Sequence, residues 1–229
     1  IYVNGVYIDE FSGENNFYEF SNTGEWINVY QFPLEMVDLS GHAVYDLAYD
    51  PFNEYFFGAN TSGAIFRFNS DLTDVHQITQ VGFWPNAMAF NWFDGLLYIR
   101  GWDSNFATVD PMNGDVTPLA LELEPSSVVG MAYMPYAADG YSIWLMAHDA
   151  NGEGGYVFRY DPTTAIYDLE ATEVFAPIQG QAAGGFEISN GFRESFYDIT
   201  SVYQSTPDFV YIFEGVEVCL LYTSPSPRD

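Results

Sequence analysis

A chain of 229 residues with 48% hydrophobic and 19% aromatic residues can bury a large core, which excludes a disordered chain. Its five basic residues, all arginines, face 32 acidic residues, and the net charge of −27 disfavours binding to nucleic acid or to an anionic membrane surface. No apolar run approaches the ~18 residues of a membrane span, so membrane insertion is not expected. Either solubility in a salty setting or the binding of Ca²⁺ or another cationic ligand explains the acidity.

Short strand-like runs recur in a fixed order along the chain. The N-terminal part is predicted to hold three strands, at 1–8, 16–22 and 25–32, without the equivalent of a first strand. Four further units each begin with a first strand that combines small residues with aromatics, at 44–52, 86–93, 129–136 and 183–190. The strands that complete these units are predicted at 54–60, 64–71 and 74–80, then at 96–102, 105–111 and 115–122, then at 141–147, 156–162 and 167–175, and finally at 196–203 and 208–215.

The spacing of the units indicates a repeat architecture. Ala48 and Ala89 are 41 residues apart, and Ala89 and Ala132 are 43 residues apart. Four short strands per repeat, joined by turns rich in Asp, Asn, Gly and Pro, are typical of a propeller blade. Small residues suit first strands crowded around an axis, and near-continuous apolar second strands suit sheets whose two faces are both covered by neighbouring blades.

These observations predict an all-β fold, a β-propeller of about five four-stranded blades in which the first and last blades are incomplete. Whether the ring is open or closed is left undecided. The alternative fold is a β-sandwich, which should show cleaner apolar and polar alternation and no fixed strand order. No segment keeps apolar residues at helical spacing, so almost no helix is expected.

Five stretches carry a resemblance to the repeats of secreted bacterial β-propellers of the broad NHL/YVTN-like group. They are "LAYDP" (47–51), "AFNWFDGLLYI" (89–99), "YVFRYDPTTA" (156–165), "GGFEISNGF" (184–192) and "QSTPDFVYIFE" (204–214). The resemblance covers about residues 1–215. It implies a propeller fold, a secreted or cell-surface location and a larger multidomain parent protein. It implies no catalytic residues, because most such domains have no assigned activity.

The last eleven residues, "CLLYTSPSPRD", differ in character from the rest of the chain and include its only cysteine. One reading frame of a transposase-type sequencing-library adapter translates to the same eleven residues in order. We therefore expect 1–218 to be a propeller domain truncated at its N-terminus, and 219–229 to be a non-native tail on an environmental gene fragment. A natural linker or the start of a sorting module is the alternative.

A propeller brings two kinds of connection to one face: those from a fourth strand to the next first strand, and those from a second to a third strand. Polar and aromatic residues near such positions form the predicted ligand site at the mouth of the central channel. They are His42, Trp84, Trp102, Asp103, His148 and Gln204. Exposed tryptophan suits stacking on sugar rings or peptide side chains, so the expected partner is an extracellular protein or a glycan. Ordinary loop histidines and aromatics packed between blades are the alternative.

The stretch "DANGEGG" (149–155) is a candidate metal site. Asp149, Asn151 and Glu153 stand at alternate positions, as ligands do at the start of a Ca²⁺ loop. The stretch lacks the next acidic ligand at the right distance, so it is not an EF-hand. A flexible Gly-rich hairpin turn is the alternative.

No catalytic residues are predicted. The chain has no G-x-S-x-G stretch, and its lack of lysine excludes a P-loop and Schiff-base chemistry. We expect a non-catalytic extracellular module that serves as a binding or scaffold platform. The alternative is a metal-dependent propeller hydrolase, lactonase or lyase, which should gather three or four polar groups at the central channel. The first strands offer few such groups, mainly Asp46 and Asn91, and this scarcity favours the non-enzyme.

Overall fold

In the computed structural model, the described residues form five antiparallel sheets in which consecutive strands are always neighbours. Each sheet is therefore a simple meander of three or four strands. The structure describes residues 2–5, 16–20, 26–39, 41, 44–101, 105–120, 127–134, 139–148, 155–172, 186–190, 199–206, 209–214 and 219–221, and from residue 169 onward it describes the backbone alone. Within these residues the only helix is a single 3₁₀ turn, Leu34–Met36.

The chain divides into two compact units, residues 1–119 and 120–229. The sheets of the first unit are β1 (Tyr2–Gly5), β2 (Asn16–Phe20) and β3 (Trp26–Gln31); β4 (Asp46–Asp50), β5 (Tyr55–Ala59), β6 (Ala64–Phe68) and β7 (His76–Gln80); and β8 (Pro85–Asn91), β9 (Leu96–Gly101), β10 (Phe106–Val109) and β11 (Val116–Leu119). The sheets of the second unit are β12 (Ser127–Tyr133), β13 (Ile143–His148), β14 (Gly155–Asp161) and β15 (Ile166–Thr172); and β16 (Phe186–Asn190), β17 (Ile199–Thr206), β18 (Phe209–Glu214) and β19 (Cys219–Leu221).

These meanders confirm the predicted all-β fold with blade-like sheets of four strands. The first sheet has three described strands, as the missing first strand of that blade predicts. In the last sheet, three strands precede residue 219, and the fourth is β19, which pairs with β18 from Ile212↔Leu221 to Glu214↔Cys219. This fourth strand comes from the tail that the sequence marks as non-native, and the origin of the tail stays a prediction.

The first strands of neighbouring blades lie side by side in the first unit. Tyr45, which precedes β4, contacts Trp84, which precedes β8, with ring centroids 5.9 Å apart. Phe52, which follows β4, contacts Trp92, which follows β8, at 5.5 Å. The residues that precede the two strands contact each other, and so do the residues that follow them. β4 and β8 therefore run in the same direction, as the first strands of adjacent propeller blades do. In the second unit, β12 and β16 are the corresponding neighbours.

Apolar clusters cover both faces of the β4–β7 sheet. One cluster is shared with the β8–β11 sheet and contains Ala48, Phe57, Ala59, Ile65, Val81, Met88, Phe90, Leu97, Ile99 and Val109. The other is shared with the connection from β3 to β4 and contains Phe32, Met36, Val44, Phe56, Ala64, Phe66 and Phe68. Neighbouring residues on a strand point to opposite faces, so Phe56 and Phe57 belong to different clusters. A strand covered on both faces can be apolar throughout, which explains the near-continuous apolarity of β5.

One five-residue turn recurs at the ends of β4, β8, β10 and β14. It begins with Asp50, Asn91, Asp110 or Asp161, whose side-chain oxygen accepts the backbone N–H two residues later at 2.8–3.0 Å. This Asx-type hydrogen bond ends the strand by turning the backbone away from the sheet. In the last of these turns, the hydrogen bond from the Thr164 hydroxyl at 2.6 Å is the main cause that holds the pKa of Asp161 below its ordinary value.

The fifth residue of each turn adopts positive φ. The angles are 59° at Glu54, 76° at Gly95, 79° at Gly114 and 56° at Ala165. The third residue is exposed in all four turns. The third residues are Phe52, Phe93, Met112 and Thr163. The turn therefore fixes the backbone through its first and fifth residues and presents the third to solvent.

Candidate functional site: the face at the start of the first strands

An exposed aromatic pair lies where β4 and β8 begin. Trp84 is 44% exposed, and Tyr45 is 37% exposed. Their rings meet edge to face, with an interplanar angle of 85°. The pair joins two neighbouring blades on the face for which the sequence predicts a ligand site.

The turn from β5 to β6 supports the segment that leads to Trp84. Val81 donates its backbone N–H to the carbonyl of Gly63 at 2.8 Å, and Gly63 donates to the carbonyl of Asn60 at 3.0 Å. The buried Asn60 side chain donates in turn to the carbonyl of Met36 at 3.1 Å. Three segments that are distant in sequence are thus tied together beneath the aromatic pair.

Polar groups on the same face are already bound to neighbouring groups. The Thr61 hydroxyl donates to the Asp38 carboxylate, which links the β5–β6 turn to the connection before β4. Asp46, the first residue of β4, accepts the backbone N–H of Met88 at 2.6 Å. β8 is an edge strand of its own sheet, so this hydrogen bond crosses from one sheet to the next. The Asp46 carboxylate therefore holds two blades together.

Replacing Asp46 with alanine should lower the free energy of unfolding by about 1–3 kcal/mol, because the N–H of buried Met88 loses its acceptor. Asp46→Asn keeps a side-chain oxygen at the same distance and is the matched control, with an expected loss below half that of alanine. Urea denaturation of the three proteins measures the difference. Equal losses in the two variants would show that the carbonyl-type acceptor is not what stabilises this position.

Only some of the predicted site residues lie within the part of the chain that the structure describes. Trp84 is described in full and lies on the expected face. His148 ends β13, and Gln204 lies within β17, opposite Phe186 and Tyr211, with only their backbones described. The other predicted ligand residues and the predicted Ca²⁺ ligands lie outside the described residues; they are His42, Trp102, Asp103, Asp149, Asn151 and Glu153. The shared ligand site and the Ca²⁺ site stay predictions.

Within the part of the chain that the structure describes, no group of three or more His, Cys, Asp or Glu side chains is placed to hold a metal ion. Asn91, the other polar group noted on a first strand, donates to Asp94 at 2.8 Å and accepts from the Phe93 N–H at 3.0 Å. Asn91 thus serves its turn, as Asp46 serves the contact between blades.

Tyr45 and Asp38 are the site residues that sequence reasoning missed. The predicted strand 44–52 includes Tyr45, whereas Tyr45 directly precedes β4 in the structure. Aligning the units by their first strands would have revealed it, because an aromatic residue stands just before the strand in both cases, at Tyr45 and Trp84. For Asp38 no comparable signal exists, since its partner Thr61 is 23 residues away.

Four-stranded meanders with neighbouring parallel first strands define the class of protein, which is a β-propeller. None of the described helical residues forms a segment long and apolar enough to span a membrane. No family model matches the sequence, and no curated protein matches it either.

Solved structures with the same fold are similar to this chain at low sequence identity. A chain of a nidogen/laminin complex has 14% identity and a TM-score of 0.57, over 87% of this chain and 68% of that one. A protein of unknown function from Bacteroides thetaiotaomicron has 12% identity and a TM-score of 0.59, over 83% and 50% of the two chains. Glutaminyl cyclase from Myxococcus xanthus has 12% identity and a TM-score of 0.55, over 83% and 77%. At such identities the similarity shows the fold alone.

Proposed function

We propose that this β-propeller is a non-catalytic extracellular binding module, part of a larger protein, whose ligand contacts the face where the first strands begin. The observation that carries the proposal is the exposed Tyr45–Trp84 pair, which joins two blades at that face. Aromatic side chains with one edge in solvent are suited to stacking on sugar rings and on peptide side chains. The ligand is therefore a glycan or an extracellular protein.

The polar groups of the first unit support a binding role over a catalytic one. A metal-dependent hydrolase, lactonase or lyase needs several carboxylates that are free to ligate a metal or activate water. Asp46 instead accepts the Met88 N–H, and Asn91 is engaged with Asp94 and Phe93. The fold itself does not decide between the two roles, because one of the similar propellers is a glutaminyl cyclase and another is a chain of a nidogen/laminin complex.

Trp84→Ala tests the proposal. The purified chain is applied to an array of neutral and acidic oligosaccharides and to a panel of extracellular matrix proteins, and the strongest binder is then titrated in solution. We expect Trp84→Ala to weaken this binding tenfold or more, as the loss of an aromatic hot spot does. Tyr167→Ala, which removes an aromatic ring that is 41% exposed on β15, is the matched control and should bind like wild type.

Two results would contradict the proposal. Unchanged affinity of Trp84→Ala for the selected ligand would place the binding site elsewhere. Turnover of any array ligand, detected by mass spectrometry, would favour the enzyme over the binding module.

A further inference from the structure

A second aromatic surface lies where β4 and β8 end. Phe52 and Phe93 occupy the third positions of two five-residue turns and are 76% and 92% exposed. Trp92 lies beside Phe52, with ring centroids 5.5 Å apart. The strands separate this surface from the Tyr45–Trp84 pair by about 20 Å. We name Phe52, Trp92 and Phe93, with the carboxylates of Glu54 and Asp94 in the same turns, the aromatic turn surface.

The turns themselves do not need aromatic residues at these positions. The side-chain oxygens of Asp50 and Asn91 accept the backbone N–H groups that form the two turns. The equivalent turn after β14 has Thr163 in the third position. Phe52 contacts Trp92 of the neighbouring blade, yet Phe52 stays 76% exposed and Phe93 is 92% exposed, so the structure of the turns alone does not account for the two rings. Exposed apolar groups that cluster in this way mark a surface that another molecule covers.

The charges around the rings indicate what kind of molecule this is. Glu54 and Asp94 are both exposed acids, and neither turn contains a basic residue. A second copy of the chain, with its net charge of −27, would be repelled. A basic partner would be attracted, and aromatic rings flanked by carboxylates bind the cationic side chains of such a partner.

The Asp94 carboxylate is held in a fixed position in this surface. It accepts the Leu96 N–H at 2.9 Å, the Tyr98 hydroxyl at 2.8 Å and the Asn91 amide at 2.8 Å. Although the residue as a whole is exposed, its surroundings partly desolvate the carboxylate, and in spite of the three hydrogen bonds this desolvation raises the pKa of Asp94 above its ordinary value. The groups that surround it therefore offset its desolvation only in part, and a cation beside it would complete that compensation.

The same chemistry occurs twice among the residues that the structure describes. The guanidinium of Arg67 lies over the ring of Tyr55 at 4.5 Å, and that of Arg159 lies over Tyr141 at 4.9 Å. Arg159 also contacts the carboxylates of Asp139 at 2.8 Å and Asp168 at 3.1 Å. A basic side chain on a ring between two carboxylates is thus an arrangement that these blades already contain.

We propose that the aromatic turn surface binds an extended, basic polypeptide segment. Its arginine or lysine side chains lie over the rings and beside Glu54 and Asp94, and an apolar side chain between them contacts Phe52 and Phe93. In an extended segment, every second side chain points to the same face. The segment therefore has a basic, an apolar and a basic residue at every second position, and these three side chains face the aromatic turn surface.

The dye-labelled pentapeptide Arg-Ser-Leu-Ser-Arg is the probe, and fluorescence anisotropy measures its binding to the whole chain. The salt concentration is about 0.15 M, where the Debye length of about 8 Å suppresses general attraction to the acidic chain. We expect the probe to bind, the matched peptide Glu-Ser-Leu-Ser-Glu not to bind, and Arg-Ser-Ser-Ser-Arg to bind more weakly.

Substitutions then locate the site. The double variant Phe52→Ser and Phe93→Ser should weaken probe binding tenfold or more. Glu54→Gln should weaken it about threefold, as expected for an exposed ion pair. Trp84→Ala, at the other end of the strands, should leave probe binding unchanged, so this result is independent of the proposed function. Thermal melting checks that the variants fold, and Phe93→Ser alone, at a position with 92% exposure, is the fallback variant.

Three results would overturn the proposal. The first is equal binding of the probe to wild type and to the double variant, which would show a general attraction to the acidic surface. The second is no binding of any peptide at concentrations up to about 1 mM. The third is a wild-type dimer in sedimentation that the double variant abolishes, which would make a second copy of the chain the occupant.

Discussion

Gly63→Ala is expected to lower the free energy of unfolding by about 3 kcal/mol or more. Gly63 is buried and has a φ of +91°, and a Cβ at this position would lie 2.3 Å from the carbonyl oxygen of Val81 and 2.9 Å from that of Phe83. Both obstacles are backbone atoms of the segment that leads to Trp84. The segment would have to move, so this variant should also lose the ligand that depends on Trp84.

Substitutions at two other glycines separate the two causes of this loss of stability, which are the backbone strain at positive φ and the clash of the added Cβ. Gly95 has a φ of +76° but open space around its Cβ position, so Gly95→Ala measures the backbone strain alone, about 1 kcal/mol. Gly82 has open space without positive φ, so Gly82→Ala should be close to neutral. Urea denaturation of the three variants gives the comparison. If Gly63→Ala cost no more than Gly95→Ala, the close approach of the Val81 carbonyl would be refuted.

Phe57→Ala is expected to cost about 3–5 kcal/mol of unfolding free energy. Phe57 is 2% exposed, and its ring lies 5.1 Å from that of Phe90 on the neighbouring blade. Removing the ring leaves a cavity in the cluster that joins the β4–β7 and β8–β11 sheets. Because each sheet covers the other, we expect both to unfold together at a lower denaturant concentration.

A double-mutant cycle with Phe90→Ala tests whether the two rings act together. The coupling energy between Phe57 and Phe90 should be about 0.5–1.5 kcal/mol, the usual range for an aromatic pair. Phe93→Ala, with 92% of the side chain exposed, is the control and should leave the melting temperature unchanged. Additive effects of the two core substitutions would mean that the blades do not stabilise each other through this contact.

The blade pattern could be predicted because each blade repeats the same local requirements. Ala48, Ala89 and Ala132 mark the first strands, and all three are buried, with at most 3% exposure. Small residues there allow neighbouring first strands to approach, and the following apolar run indicates a second strand covered on both sides. These signals lie within a few residues of one another, so a single sequence is enough to show them.

The apolar pattern of the sequence does not show where the first strands end. The apolar patterns 44–52 and 86–93 run past the true ends of β4 and β8, at Asp50 and Asn91. The side chains of these two residues accept backbone N–H groups and stop the strands, although Phe52 and Phe93 look like strand residues. The prediction therefore placed the two phenylalanines in a sheet, and it missed the surface that they form.

Contacts between blades could not be predicted from the sequence. Trp84 could be proposed from its position before a first strand, but its contact with Tyr45 joins residues from different repeats. The hydrogen bond from Met88 to Asp46 spans 42 residues in the same way. Period and composition describe one blade at a time, whereas these contacts depend on how two blades meet.

The positions of the five-residue turn have different roles, and this difference is useful for protein engineering. The residues that set the backbone are the first and fifth, and at Phe93 and Met112 the third side chain is about nine-tenths exposed, so these two residues can be exchanged without disturbing the fold. Phe93 and Met112 follow the first and the third strand of the same sheet, so the two positions could be randomised together as a library. New specificities could then be selected on a scaffold whose thermal stability hardly varies among the members.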